Sequence, residues 1–305
     1  MEQVAVIGGG TMGADIAAIF VAGGWTAHVV EPDTARRSTL TGRVEKACEQ
    51  IGKAFGADRL VGHGRAGALP WQNIALVVEC APENLAIKRA VFAELEQLSR
   101  PDATLASNSS SFPITDIAQE LRSAARMCGL HFFMPAHLVP VVEVIRGAAT
   151  DPAVCERLSA TMRALGRVPV NVKKDIPGFL VNRIQHAMMR ECFALIEQDL
   201  ATPEDVDAAV RYGFGFRFVA AGPILQKDLS GLEIHCAAAA TIYPSLCNDA
   251  EPSRVVRERI AAGKFGVKTG AGFYEWTPER ATTEKARYDR ALLAALEIFA
   301  RERKA

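Results

Sequence analysis

Apolar and polar positions follow two rhythms in the first half of the chain and only one in the second. Val4-Ala5-Val6-Ile7 is a short unbroken apolar run, the mark of a strand buried on both faces. It leads into a glycine-rich turn, after which Ile16, Ala17, Ile19 and Phe20 recur at helical spacing until Gly23-Gly24. Ala27-His28-Val29-Val30 reads as a second strand, ending at Glu31. Leu40, Val44, Ala47, Ile51 and Phe55 then step by three to four residues and predict one helix over 34–55. Residues 58–72 are poorly patterned and glycine-rich, predicting a loop or a short edge strand. Strands are expected at 76–80 and 104–107, and a short helix at 114–121. A helix over 84–98 is expected to bury Ile87, Val91, Leu95 and Leu98. Apolar runs at 127–133 and 141–145 flank a proline-bounded loop. Thr150 is placed to cap a helix started by Asp151-Pro152 and ended by Gly166, and 168–172 is a last strand. Strands alternating with helices predict a largely parallel, doubly wound α/β sheet with helices on both faces.

Past Pro177 the strand-like runs stop. A long helix is expected over 179–199, another opens at Pro203, a glycine-rich loop at 212–218 breaks it, and 227–242 is helical again. The alanine run 237–240 suits close helix packing, within or between subunits. We expect an N-terminal sheet domain, 1–176, and an all-helical C-terminal domain, 177–305.

Composition narrows the class. A chain of 305 residues suits two domains at roughly 150 residues each. Equal numbers of acidic and basic residues give no polyanion-binding surface, so no nucleic-acid partner is expected. Seven dispersed cysteines without a C-x-x-C pair suggest reduced thiols, and no apolar run approaches the ~18 residues of a membrane span. The first strand begins close behind Met1, leaving no room for a signal peptide. The expectation is a soluble, cytoplasmic protein without a membrane partner.

The glycine turn carries the first chemistry. Gly8-x-Gly10-x-x-Gly13 between a strand and a helix is the dinucleotide-binding fingerprint. Gly8 makes the turn, Gly10 leaves room for a pyrophosphate at the helix N-terminus, and Gly13 lets the helix pack on the sheet. Glu31, at the end of the second strand, is placed for the ribose 2′-hydroxyl and would repel a 2′-phosphate, favouring NAD over NADP. Arg43, Lys46 and Lys53 lie near one side of the following helix, as a solvated face or a grip on an anion.

A nicotinamide site needs a partner for the hydroxyl proton. His131 falls at the carboxyl end of its strand, and a hairpin would bring Glu143 to its ring as an acid/base pair; a core histidine tied to a structural glutamate fits the spacing equally well. His137, in the intervening loop, could line a substrate pocket or be exposed. Ser107-Asn108-Ser109-Ser110-Ser111 and Asn182 could polarise a substrate oxygen or serve as turn and cap residues. Metal-ligand spacings and the G-x-S-x-G elbow are absent, which speaks against a metal or a serine nucleophile.

These motifs, with Gly129-Leu130-His131-Phe132-Phe133, Val142-Glu143-Val144-Ile145, residues 174–183 and Lys268-Thr269-Gly270-Ala271-Gly272-Phe273-Tyr274, resemble the L-3-hydroxyacyl-CoA dehydrogenase family over nearly the whole chain. The resemblance implies an NAD-binding Rossmann domain, a helical domain that mediates homodimerisation, and interconversion of an (S)-3-hydroxyacyl group with its 3-oxo form. It implies His131 as base assisted by Glu143, with Ser110 and Asn182 on the reacting oxygen. NAD contacts would come from Gly8, Gly10, Thr11, Met12, Gly13, Glu31, Glu83 and Asn108.

Three departures bear on substrate. Met134 stands where acyl-CoA members typically carry asparagine, and the segment between Glu31 and Glu79 looks short. Residues 135–140 and 213–218 resemble the branch acting on free hydroxy acids, such as gulonate and carnitine dehydrogenases and lambda-crystallin. There Arg217 could pair with a substrate carboxylate, or snorkel over Phe216 and Phe218 at the surface. A CoA thioester and a free acid both remain open as substrate, and lambda-crystallin illustrates a retired, structural alternative.

Overall fold

The protein is described from a computed structural model covering residues 2–302. Its contacts divide it into two compact units, one ending at Asn182 and one starting at Arg183.

The first unit is built on an eight-stranded sheet: β1 (Gln3–Ile7), β2 (Thr26–Val30), β3 (Leu60–His63), β4 (Ile74–Glu79), β5 (Thr104–Ser107), β6 (Met127–Phe132), β7 (Val141–Ile145) and β8 (Val168–Val172). They lie in the order β3-β2-β1-β4-β5-β6-β7-β8, every neighbouring pair parallel except β6 and β7. The exception has a simple cause. A parallel return needs a crossover of about a dozen residues or more, and the proline-bounded loop between β6 and β7 is too short. Reversal puts His131 directly opposite Glu143.

Helices α1 (Thr11–Ala22), α2 (Thr34–Ser38), α3 (Leu40–Gln50), α4 (Leu85–Leu98), α5 (Ile114–Ala118) and α6 (Pro152–Ala164) complete the unit. One apolar layer joins Ile16 and Phe20 of α1 to Val44 of α3 and Leu158 of α6, over Val4, Val29, Cys128 and Leu130. The other joins Phe92 and Leu95 of α4 to Ile114, Trp71 and Phe179. Each fully buried side chain of this size contributes roughly 1.5–3 kcal/mol, so these layers fix the sheet that carries the site.

Four sequence expectations for this unit need correction. The helix expected over 34–55 breaks at Thr39, because the Ser38 and Thr39 hydroxyls donate back to the Ala35 and Arg36 carbonyls at 2.8 and 2.9 Å. It also stops at Gln50, before Ile51 and Phe55. In α4, Ile87 is 42% exposed, and the buried face is Lys88, Phe92 and Leu95. Asp151, not Thr150, caps α6 by accepting from Ala153 N at 2.9 Å; the Thr150 hydroxyl donates to Met127 O instead.

The second unit is helical: α7 (Val181–Glu197, which begins in the first unit), α8 (Pro203–Ala208), α9 (Pro223–Ser230), α10 (Leu232–Ile242), α11 (Arg254–Ala261) and α12 (Pro278–Glu302). The stretch expected as a loop at 212–218 is wound, as a π turn over Ala209–Phe214 and a 3-10 turn over Gly215–Val219. Glycine allows it: a Cβ at Gly215 would lie 2.5 Å from the Val210 carbonyl oxygen. The stretch expected as one helix over 227–242 is divided at Gly231. Among described residues of this unit only Ala194, Val206 and Val255 are buried apolar side chains, while Tyr212, Phe216, Ile224 and Leu229 are each more than 70% exposed.

Candidate active site

The glycine turn is packed as its sequence demands. A Cβ at Gly8 (φ +110°) would lie 2.6 Å from Cys80 O, and one at Gly13 would lie 1.8 Å from Gly8 O. Neither position tolerates a side chain. At Gly10 a Cβ would meet nothing within 4 Å, so open space lies over the start of α1. Thr11 opens that helix and is exposed, while Met12 is half-buried against the apolar layer. Glu31 is 4% exposed; it accepts from Gly9 N at 3.2 Å and Asp33 N at 3.0 Å. Arg43 is no solvated residue: its guanidinium donates to Gly9 O at 2.7 Å and Gly10 O at 3.2 Å. A helix start without a side-chain cap among the described residues, open space at Gly10 and a carboxylate ending β2 together fit NAD.

On the next strands, His131 Nδ1 lies 2.7 Å from Glu143 Oε2. Glu143 is fully buried, and its other oxygen accepts from Leu180 N at 2.9 Å and Val181 N at 2.8 Å. Burial pushes this carboxyl up, but the His131 hydrogen bond and the two amides outweigh it and hold it below its usual range. A carboxylate therefore holds Nδ1 protonated and leaves Nε2 with no hydrogen-bond partner among the described residues. Phe133 and Phe179 pack around the ring, at centroid distances of 4.4 and 5.8 Å.

The serine loop after β5 is wrapped around Glu83. One oxygen of Glu83 accepts from the Ser109 and Ser111 hydroxyls, both at 2.8 Å, and from the Ser110 and Ser111 amides at 3.0 and 2.9 Å. Its other oxygen lies 3.2 Å from Lys88 Nζ. Burial works against ionisation, but the Ser111 and Ser109 hydroxyls and the Lys88 charge bring this carboxyl down to about 2. Lys88 itself is buried and also donates to both oxygens of Glu79, at 2.9 and 3.1 Å. Asn108 Oδ1 accepts from Phe132 N at 2.8 Å, tying this loop to the strand of His131. Asn182 Nδ2 donates to the Ser110 carbonyl at 3.3 Å, so Ser110 and Asn182 are neighbours.

Residues 3–176 match the NAD-binding domain of 3-hydroxyacyl-CoA dehydrogenase, and residues 178–276 match its C-terminal domain. The chain belongs to the 3-hydroxyacyl-CoA dehydrogenase family. It is 33% identical to 5-formyl-3-hydroxy-2-methylpyridine 4-carboxylate 5-dehydrogenase of Mesorhizobium japonicum, with 98% of each chain covered. It is also 33% identical to the human mitochondrial hydroxyacyl-coenzyme A dehydrogenase, covering 90% of this chain and 91% of that one. Among solved structures, a 5-formyl-3-hydroxy-2-methylpyridine 4-carboxylic acid 5-dehydrogenase described as an NAD+-dependent dismutase matches with a TM-score of 0.91, at 32% identity and 98% coverage of both chains. The (S)-3-hydroxybutyryl-CoA dehydrogenase of Ralstonia eutropha matches with a TM-score of 0.73, at 30% identity, over 91% of this chain and 99% of that one.

This family member is thus an NAD-dependent oxidoreductase acting on CH–OH groups. The structure brings His131, Glu143, Leu180 and Val181 together, and Ser110 with Asn182 and Glu83. His137 has other partners. It is 6% exposed, with Nδ1 3.1 Å from Asp15 Oδ2 and Nε2 2.8 Å from Gln50 Oε1, which braces its loop against α1 and α3. Arg217 belongs to the second unit, on the exposed 3-10 turn, and its guanidinium has no hydrogen-bond or carboxylate partner among the described residues. Sequence reasoning missed Lys88 and the brace role of Arg43. The only available signal for Lys88 was its position one turn from Asn84 on an otherwise apolar face. No helix of the described residues is long and apolar enough to cross a membrane, and no cluster of three or more metal-ligating side chains occurs among them.

Proposed function

We propose that this enzyme oxidises a hydroxyl group, or the hydrate of an aldehyde, on a small molecule bearing a free carboxylate. What supports this reading most is the likeness, over 98% of both chains and at a TM-score of 0.91, to a dehydrogenase whose named substrate is a pyridine carboxylate. Two local features agree with it. Met134 is 65% exposed where a polar side chain is usual, and only a 3-10 turn, Ala57–Arg59, separates α3 from β3, leaving no long helical arm for a CoA tail.

In this mechanism Nε2 of His131 takes the hydroxyl proton, and Glu143 holds Nδ1 so that Nε2 arrives unprotonated. The imidazolium so formed is stabilised by the Glu143 carboxylate 2.7 Å away. The Ser110 hydroxyl and the Asn182 amide donate to the reacting oxygen as it carries developing negative charge. The Arg217 guanidinium is the candidate partner for the carboxylate, which its planar fork can pair bidentately. NAD would be held by the glycine turn and Glu31, with Glu83 and Asn108 as further candidate contacts, and would supply the hydride acceptor. The exposed apolar side chains of the second unit serve as the homodimer interface. Replacement of Ile224 and Leu229 by serine should yield monomers in light scattering, and an unchanged dimer would move the interface elsewhere.

A second reading, a 3-hydroxyacyl-CoA thioester as substrate, is supported by the family and by the human relative. NADH absorbance with acetoacetyl-CoA, run beside a panel of free hydroxy and formyl carboxylates, separates the two. Turnover of a free acid that collapses in Arg217→Ala supports the first reading. Thioester turnover indifferent to that substitution supports the second and returns Arg217 to the surface.

A further inference from the structure

Alternation along β6 sends Cys128, Leu130 and Phe132 into the apolar layer beneath α6, away from the Phe179 side on which His131 lies. Cys128 is fully buried, with Sγ 3.1 Å from Ile145 O and 3.5 Å from Cys155 Sγ. Cys155, in the first turn of α6, is half-buried and lines a cleft of about 350 Å³ between α6 and the edge strand β8. Arg146, Arg163 and Lys173 line the same cleft, with Glu156 the one carboxylate among its walls.

We propose that Cys155 and Cys128 form an oxidisable dithiol, Cys155 attacking and Cys128 resolving, whose cleft admits a low-molecular-weight disulfide bearing carboxylates. The local chemistry gives the two sulfurs different roles. Contact with the Cys128 thiol lowers the Cys155 pKa, burial opposes this, the Arg146 charge lowers it further and Asp151 opposes. The helix start also favours a thiolate there. The Cys155 contact and burial push the Cys128 thiol up, so it stays protonated until its neighbour has reacted. Three cations against one carboxylate attract an anionic disulfide and offer nothing to neutral hydrogen peroxide.

The Cys155 thiolate attacks one sulfur of the incoming disulfide, forms a mixed disulfide and releases one thiolate. Cys128 then loses its proton to solvent and attacks Cys155 Sγ, forming the protein disulfide and releasing the second thiolate. Two protein thiols and one external disulfide become one protein disulfide and two free thiols. The sulfurs, 3.5 Å apart, must close to about 2.05 Å, a shift that side-chain rotation and a small movement of the first turn of α6 can supply.

The test uses the reduced full-length enzyme and oxidised glutathione, followed by a non-reducing tryptic map. Cleavage at Arg126, Arg146 and Arg157 places the two cysteines on peptides 127–146 and 147–157, which should appear linked. Cys155→Ser should abolish the link, and Cys128→Ala should trap glutathione on Cys155. Arg163→Gln, which leaves both peptides and the Arg146 charge intact, should slow linkage by glutathione several-fold and leave linkage by uncharged hydroxyethyl disulfide unchanged. Absence of the linked peptides overturns the dithiol. Linkage by hydrogen peroxide but not by oxidised glutathione, or at a rate indifferent to Arg163, overturns the assigned oxidant.

Discussion

Replacing Glu143 by glutamine removes a charge while keeping shape, and the geometry dictates how the amide must sit. The native carboxylate accepts three hydrogen bonds, one from His131 and two from the Leu180 and Val181 amides. Glutamine offers one acceptor oxygen and one NH2 group. Turning the NH2 toward the two amides would strand two buried donors at about 1–3 kcal/mol each. Turning it toward His131 strands nothing, provided the imidazole moves its proton to Nε2. The second arrangement wins, and it leaves the ring in the tautomer that cannot accept a hydroxyl proton. The expected loss is that of a positioned base, about 10²–10⁴-fold in kcat, or roughly 2.7–5.4 kcal/mol of barrier. NAD reduction followed by absorbance gives kcat, and a thermal melt tests the packing. A small change in melting temperature with a large fall in kcat is expected. A variant that melts far lower while its folded fraction keeps near-native kcat would mean the amide had turned the other way and would refute the tautomer argument.

Gly10→Ala should leave thermal stability unchanged, since its Cβ meets nothing within 4 Å, while a methyl in the space left for a pyrophosphate costs about 1–3 kcal/mol and weakens NAD binding, measurable by calorimetry. Lys88→Met should destabilise the fold by about 3–5 kcal/mol in urea melts, because Glu79 is left buried without its cation; loss below 1 kcal/mol would show that the carboxyl simply takes up a proton. The Glu83 carboxyl titrates at about 2 in the folded chain and near 4.3 in the unfolded one. Its stabilising contribution is therefore complete above the unfolded value and lost as pH falls toward the folded one, so the melting-temperature advantage of wild type over Glu83→Gln should shrink across that window.

Much of this architecture is written in local pattern. The strand, glycine turn and helix of residues 3–22 follow from apolar runs and glycine spacing, and the short proline-bounded loop sets the hairpin that aligns His131 with Glu143. The misplacements share a physical origin. Counting apolar positions put Ile87 inside and passed over Lys88, because pattern alone does not see a carboxylate pair waiting across the chain at Glu79 and Glu83. Ser38 and Thr39 broke a helix through hydrogen bonds to their own backbone, and Thr150 gave up the cap for a carbonyl on β6. Arg43 looked like surface charge because its partners are backbone carbonyls of the glycine turn, which no side-chain pattern records. In each case a polar group found a distant or backbone partner that is silent in the sequence.

Two carboxylates, Glu143 and Glu83, explain why the proposed oxygen-binding residues are neighbours. Glu143 reaches from β7 to the amides of Leu180 and Val181, immediately before Asn182, so the carboxylate that sets the His131 tautomer also fixes the start of α7. Glu83, anchored on buried Lys88, gathers five donors of the serine loop, the Ser110 hydroxyl at 3.4 Å among them, and so positions Ser110. The 3.3 Å hydrogen bond from Asn182 to Ser110 O closes the arrangement. Neither carboxylate needs to touch substrate to influence it. Loosening either one displaces donors whose value lies in being fixed before charge develops on the substrate oxygen. Such losses belong in kcat more than in substrate KM, and they separate these positioning carboxylates from Arg217, whose proposed grip on the carboxylate is equal in ground and transition states and belongs in KM.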